Sequence, residues 1–215
     1  MPILTYADFD YYLNGAGIGA IQDLINIIDG TGSLLIARTS GAAAVQANWA
    51  PLTPTYTQGL AHGALQCVFR RTVLSTASQT CILLCMQNQR DLTASGTAYG
   101  LAWQPVSGIL RLLKIANGLA NSGAHSLLAT ADLNGEYPGA TQLMLRLEWA
   151  AMTESVALLA SVGLATTGAD LALVLTATDT SSPLTSHVTE GAGYYDSSGL
   201  NFQVEVDRMT LRELS

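Results

Sequence analysis

From residue 64 onward, apolar and polar positions alternate in short runs separated by turn-forming clusters. The runs at 64–73, 81–87, 98–104, 109–115, 141–149, 156–162 and 171–177 predict strands. Ser75-Thr76-Ala77-Ser78, Thr93-Ala94-Ser95-Gly96-Thr97, Val106-Ser107-Gly108, Asn117-Gly118, Asn121-Ser122-Gly123, Asn134-Gly135 and the polar stretch 178–183 predict the turns. Leu145, Leu147 and Trp149 alternate against Met144, Arg146 and Glu148, while Leu171, Leu173 and Leu175 form one row against Ala172 and Val174. The run 158–165 has some helical character, but Gly163 and Gly168 argue against a long helix.

The clearest alternation lies at the C-terminal end. Phe202, Val204 and Val206 are in phase, and so are Met209 and Leu211. Between the two sets the parity slips at Asp207-Arg208, as one extra residue in a β-bulge would cause. It slips again at Glu213-Leu214. This stretch predicts a long strand that closes a sheet.

The first sixty residues are less regular. Ile18, Ile21, Leu24, Ile25 and Ile28 are spaced as on one helical face, with Asp29-Gly30 as a stop. The same stretch also accommodates a strand at 24–28. The prolines at 51 and 54 bias the segment 49–54 toward extended backbone. The expected organisation is an N-terminal arm with first strands at 1–60, packed on a β-sandwich at 61–215, with one short helix allowed in the arm. Many short strands with regular turns predict an all-β, antiparallel two-sheet sandwich or barrel.

The chain has 215 residues, of which 49% are hydrophobic and 12% charged. The charged share is about half the usual one, so the polar surface consists mostly of Ser, Thr, Asn, Gln and backbone. Such a surface suits contact with sugars or other subunits. Net charge is −7, and the nine basic residues are one lysine and eight arginines with no cluster beyond Arg70-Arg71. Nucleic-acid binding requires a phosphate-neutralising patch, which this pattern does not supply. No apolar run approaches the roughly twenty residues of a membrane helix. The start, Met-Pro-Ile-Leu-Thr-Tyr-Ala-Asp, lacks the basic and apolar regions of a signal peptide. Either the protein works in the cytosol, or it leaves the cell by lysis, or it was cut from a precursor; the expected location is a virion assembled from protein made in the host cytoplasm.

Cys67, Cys81 and Cys85 each sit in an apolar run, where a thiol behaves as a small hydrophobe. Buried free thiols are expected, with a Cys67–Cys85 bridge open only if a hairpin places the two opposite each other.

The order of elements resembles the concanavalin A-like, laminin-G-like jelly-roll sandwich. Ala98-Tyr99-Gly100-Leu101-Ala102-Trp103 is similar to that family's Tyr-Gly-Leu strand. Leu110-Arg111-Leu112-Leu113-Lys114-Ile115 followed by Asn117-Gly118 is similar to the next strand and turn. The segments 141–149 and 156–162 resemble a following strand and its return. Residues 179–183 and Gly191-Ala192-Gly193-Tyr194-Tyr195 resemble the late polar loop and its Gly-containing turn, and Phe202-Gln203-Val204-Glu205-Val206-Asp207 the closing strand. The resemblance covers 64–211 well and 24–60 poorly. It implies a sugar-binding, protein-binding or structural module, or a glycan hydrolase; the fold alone does not choose.

Glu205 and Asp207 share a strand face, and some related glycan hydrolases carry Glu-x-Asp-x-Glu there. Met209 stands at the third position, so one acidic partner is missing. No enzyme activity is expected. The resemblance also raises calcium as a cofactor, with Asp179 and Asp196 as loop candidates and Asp132, Asn134 and Asp91 behind them. The competing role for such residues is an aspartate that bonds its own backbone. His62, His125 and His187 fall in predicted loops as surface residues. Tyr137, Tyr194 and Tyr195, with Trp49 and Tyr56, lie in or beside predicted loops, and such rings stack on sugars or anchor interfaces. Tyr137, Tyr194, Tyr195 and Asp196 are the candidate ligand-binding residues. The expected function is a non-catalytic structural or adhesion subunit of a virion, from a bacteriophage tail or capsid decoration. Other virion proteins, further copies of the chain and a host cell-surface glycan are its expected partners. A free carbohydrate-binding lectin-like module is the alternative, and a glycan hydrolase or lyase the third.

Overall fold

A computed structural model describes residues 18–23, 33–38, 44–48, 60–73, 80–89, 92, 94–164, 171–195 and 202–214. These form thirteen strands: β1 (Ile18–Asp23), β2 (Ser33–Arg38), β3 (Ala44–Asn48), β4 (His62–Val73), β5 (Thr80–Gln87), β6 (Ala98–Gln104), β7 (Ile109–Ile115), β8 (Ser126–Asp132), β9 (Gln142–Ala151), β10 (Val156–Gly163), β11 (Ala172–Asp179), β12 (Thr189–Tyr195) and β13 (Phe202–Glu213). A short 3-10 turn, Ser122–Ala124, precedes β8. Every pairing is antiparallel. One sheet runs β1-β2-β13-β4-β9-β10-β11 and the other β3-β12-β5-β6-β7-β8.

The seven sequence-predicted runs match β4, β5, β6, β7, β9, β10 and β11 to within two residues at either end. The parity slip in the last strand is a bulge. Asp207 pairs with Val68 and Thr210 with Gln66, so three steps along β13 match two along β4. That extra residue is why Val206 and Leu211, five positions apart, both turn into the core.

Two expectations are corrected. The helical spacing from Ile18 is not realised over the described part of that stretch: residues 18–23 are β1, and Ile18 pairs with Arg38 while Asp23 pairs with Ser33. Ladder bonds to β2 outweigh a local periodicity that a short amphipathic helix could not maintain alone. The remainder of that segment, 24–30, lies outside the described residues, as do 49–54. The second correction concerns Gly191-Ala192-Gly193-Tyr194-Tyr195, expected as a glycine turn. It is the interior strand β12, paired with β3 on one side and β5 on the other. Gly191 and Gly193 sit opposite Leu84 and Ile82. On the other side of β5, Gly100 sits opposite Leu84, and a Cβ there would lie 2.6 Å from Ile82 Cδ1. Glycine at 100 makes room for that large neighbour.

The main core lies between the sheets. Leu65, Cys67 and Phe69 of β4, Leu143, Leu145, Leu147 and Trp149 of β9, and Leu158 and Ala160 of β10 meet Cys81, Leu83 and Cys85 of β5, Tyr99, Leu101 and Trp103 of β6, and Leu110 and Leu112 of β7. Burial of each such leucine or ring contributes about 2 kcal/mol. The indole N–H of Trp149 is satisfied by donating to the Leu60 carbonyl at 2.8 Å. All three cysteines are buried and none forms a disulfide; burial pushes the Cys81 and Cys85 thiols up, so those two are inert at neutral pH.

The far end of the sandwich is pinned by a buried polar clamp. Asp179, read from sequence as a loop residue, ends β11 at 4% exposure. Its Oδ2 accepts from Tyr99 Oη at 2.6 Å and pairs with Lys114 Nζ at 2.8 Å. Its Oδ1 accepts from the Ser181 amide at 2.9 Å. The lysine also donates to the Ser181 and Ser182 carbonyls, both at 2.7 Å, which uses all three ammonium protons. Tyr99 Oη in turn accepts from the Leu184 amide at 3.0 Å. The loop after β11 is thereby fixed, including Ser182 at φ +53°.

Because β13 lies between β2 and β4, deletion of residues 202–215 splits the seven-stranded sheet and leaves β2 and β4 each with one unpaired edge. The truncated chain is expected to lose cooperative thermal unfolding by calorimetry. In the full chain, Leu211→Ala is expected to lower stability by about 2–5 kcal/mol in urea titrations.

Candidate functional site

The six-stranded sheet carries a second apolar layer on its outer face. Inward residues of β6 and β7 alternate with Ala98, Ala102, Leu113 and Ile115, which point outward beside Ile82 and Leu84. Leu92 and Leu119 cover them from two loops. Those loops are laced together: the Gly118 amide donates to the Gly96 carbonyl at 2.9 Å, and the Leu119 amide to the Leu92 carbonyl at 2.7 Å. Gly118 has φ +83°, and a Cβ there would collide with the Ser95 amide nitrogen and the Ala94 carbonyl carbon, so only glycine fits. The continuous apolar run of β5 has this cause: all eight residues are buried, because both faces are covered.

Beside this covered zone the outer face opens into a cleft of about 420 Å³, lined by Gln104, Arg111, Leu113, Ser122, His125, Leu127 and Tyr195. The volume lies in the range of small-molecule sites. Strand register explains the grouping. Leu110 and Leu112 point into the main core, so Arg111 and Leu113 must point out; Leu113 pairs with Leu127, and Ala102 with Arg111. Leu113 and Tyr195, at 4% and 8% exposure, form the apolar floor, and Leu127, at 55%, stands on the rim.

His125 is held by the loop that precedes it. Its Nε2 lies 3.1 Å from the Gly118 carbonyl, and its ring meets Tyr195 edge-to-face with centroids 5.5 Å apart. A carbonyl only accepts, so Nε2 carries the proton and Nδ1 of the neutral ring is an acceptor. Burial pulls the His125 pKa down, against the raising effect of the Gly118 bond. Burial raises that of Tyr195, against the lowering effects of a hydrogen bond with the Thr80 side chain and of the Arg111 charge. At neutral pH the cleft therefore presents a neutral imidazole, a protonated phenol and one guanidinium. No carboxylate lines it among the described residues.

Of the sequence candidates, Tyr195 is brought into the cleft. It lies on a strand rather than in a loop. Tyr194 is on β12, opposite Val45 and Cys81, and Asp196 lies outside the described residues. Tyr137 is elsewhere, packed against the main core with its hydroxyl donating to the Val162 carbonyl at 3.4 Å. Asp179 does not fit a cation, since Lys114 already occupies its open side. Asp132 bonds the amide two residues on, at 2.9 Å. Among the described residues no group of three His, Cys, Asp or Glu could hold a metal ion. His62 is not a loop residue: it opens β4, with Nε2 2.7 Å from the Ala151 carbonyl. His187 does lie in a loop, with Nδ1 2.9 Å from the Thr185 carbonyl. Glu205 and Asp207 fall on β13, flanked by β2 and β4. Sequence reasoning missed Arg111, Gln104 and Ser122, and placed His125 in a loop as a surface residue without a role there. A charged residue inside the apolar run Leu110-Arg111-Leu112-Leu113 was the one signal that pointed there.

No protein-family model and no curated protein matches this sequence. Solved structures do resemble it. The Ca2+/Man-bound exoplasmic/lumenal domain of VIP36 aligns with a TM-score of 0.56 and 10% identity, over 95% of this chain and 83% of that one. The legume lectin-like domain from Entamoeba histolytica aligns at 0.53 and 11% identity, covering 95% and 90%. The carbohydrate esterase vb_24B_21 from Shiga toxin-encoding bacteriophage phi24B aligns at 0.53 and 13% identity, with the same coverages. The fold is a lectin-like jelly-roll sandwich. At these identities the likeness speaks to the fold alone.

The shifts at His125 and Asp179 set an acid-side stability profile. The His125 pKa lies below 6.5 in the folded chain, so the unfolded chain takes up its proton first as pH falls. Its contribution is complete above pH 6.5 and is lost as pH drops through the folded value. Burial alone would raise Asp179, but the hydrogen bonds from Lys114, Tyr99 and Ser181, with the lysine charge, hold its carboxyl below 3.8. Its contribution is lost at still lower pH. Urea midpoints should fall in two stages on acidification, with His125→Gln removing the first stage and Asp179→Asn the second.

Proposed function

We propose that the chain is a carbohydrate-binding, lectin-like module that uses the outer-face cleft of its six-stranded sheet and performs no turnover. The cleft itself carries this reading. It sets an apolar floor of Leu113 and Tyr195 among four convergent polar groups, Gln104, Arg111, Ser122 and His125, the mixture needed by a ring with hydroxyl edges and an apolar face. Support comes from the sugar-bound VIP36 domain and the legume lectin-like domain, which share the fold. Hydrolysis of a glycoside calls for paired carboxylates, and none lines this cleft among the described residues. The test is a glycan array with the full chain, repeated with Leu127→Arg. That position is exposed, so the long side chain fills the cleft mouth without disturbing the core. Selective binding that drops at least about tenfold at unchanged melting temperature supports the reading; silence across the array overturns it.

A second reading places this module in a virus particle, as a bacteriophage tail or capsid-decoration subunit. The low charge density and the exposed Leu159, Leu164 and Leu173 on β10, just after it and on β11 favour burial against another subunit. The likeness to a phage esterase is consistent with it. Light scattering on the purified chain should then show a defined oligomer, which Leu173→Glu dissociates; a monomer at all concentrations counts against it.

A further inference from the structure

We infer that the ligand of the outer-face cleft is an acidic saccharide, a sugar carrying a carboxylate that pairs with Arg111. This rests on the carbohydrate-binding reading and narrows it. Arg111 stands mid-way along β7, between Ala102 of β6 and Thr130 of β8, and alternation sends its side chain into the cleft. It is half-buried there. Among the described residues no carboxylate pairs with it, whereas Lys114 of the same strand pairs with Asp179, and Arg146 of β9 with Glu148. A partly desolvated guanidinium without a counter-ion is unfavourable, and its planar fork matches a carboxylate with two parallel hydrogen bonds.

The other lining groups select a sugar acid over a bare anion. His125 is neutral and offers Nδ1 as an acceptor for a ligand hydroxyl. The Gln104 amide both donates and accepts, and Ser122 adds a hydroxyl. Leu113, Leu127 and the Tyr195 ring present apolar surface that a sulfate or phosphate ion does not use. A neutral sugar would satisfy those groups and leave Arg111 with no carboxylate among the described residues. In a chain of net charge −7, attraction to an anion depends on this local cation, so binding should weaken with added salt.

The experiment is calorimetric titration of the full chain with the methyl glycosides of glucuronic, galacturonic and N-acetylneuraminic acid, each paired with its methyl ester. The ester keeps every hydroxyl and removes only the charge. At least one acid should bind at least about tenfold more tightly than its ester, with salt-sensitive affinity. Arg111→Gln should abolish the difference and Arg111→Lys retain part of it. Leu127→Glu, at an exposed rim position, should weaken the acid but not the ester, which keeps the test decisive if Arg111→Gln does not fold. Equal binding of acid and ester overturns the acidic class while leaving carbohydrate binding intact. Binding of neither overturns both. Acetate or sulfate matching the glycosides in affinity overturns the saccharide and leaves a simple anion site.

Discussion

The insertion of the last two strands between earlier ones is the constraint on which the rest of the molecule depends. β12 enters between β3 and β5, and β13 between β2 and β4. Neither sheet is continuous until the final segment of chain has been laid in. The N-terminal strands meet the middle of the chain through these two inserts. Their backbone bonds and their core residues, Ala192, Val206 and Leu211, are therefore non-local, and loop closure must precede any reward from them. The bulge in β13 reconciles two stretches of opposite parity and lets one strand serve the core along its whole length.

Over part of its width the six-stranded sheet is covered on both faces. The main core requires one row of β5–β7 residues, and the covering loops require the other. Where the loops end, the outer row continues into the open as Arg111, Leu113 and Gln104. The cleft is the boundary between a buried and an unburied part of one sheet face. Its chemistry comes from that position. Partial burial favours the neutral form of both His125 and Tyr195; strand register places Gln104 and Arg111, and the turn before β8 places Ser122 and His125.

The clamp at the opposite face of the same sheet makes a useful contrast. Lys114, three residues beyond Arg111 on β7, points inward by alternation and finds a carboxylate and two carbonyls. Arg111 points outward and finds no carboxylate among the described residues. Two cations on one strand are thus divided between holding the fold and facing solvent-accessible space by the period of two alone.

The amino-acid sequence by itself determined the strands whose signal is local. The alternation at 141–149, the solid apolar run at 81–87 and the slipped parity at Asp207-Arg208 all reappear as β9, β5 and the bulge in β13. Burial of the three cysteines without a disulfide was equally legible. Tertiary structure alone decided where long-range pairing overrides a local pattern. Helical spacing at Ile18–Asp23 gave way to a ladder with β2, and the glycines at 191 and 193 proved to lie inside strand β12, opposite Leu84 and Ile82, rather than in a turn. β8 escaped notice because an edge strand exposed on most positions carries little alternation. The cleft could not be read for a related reason. Gln104, Arg111, His125 and Tyr195 come from four separate segments and share no spacing. What unites them is strand register across a sheet for Gln104, Arg111 and Tyr195 and a long-range turn contact for His125, neither of which a single stretch of chain encodes.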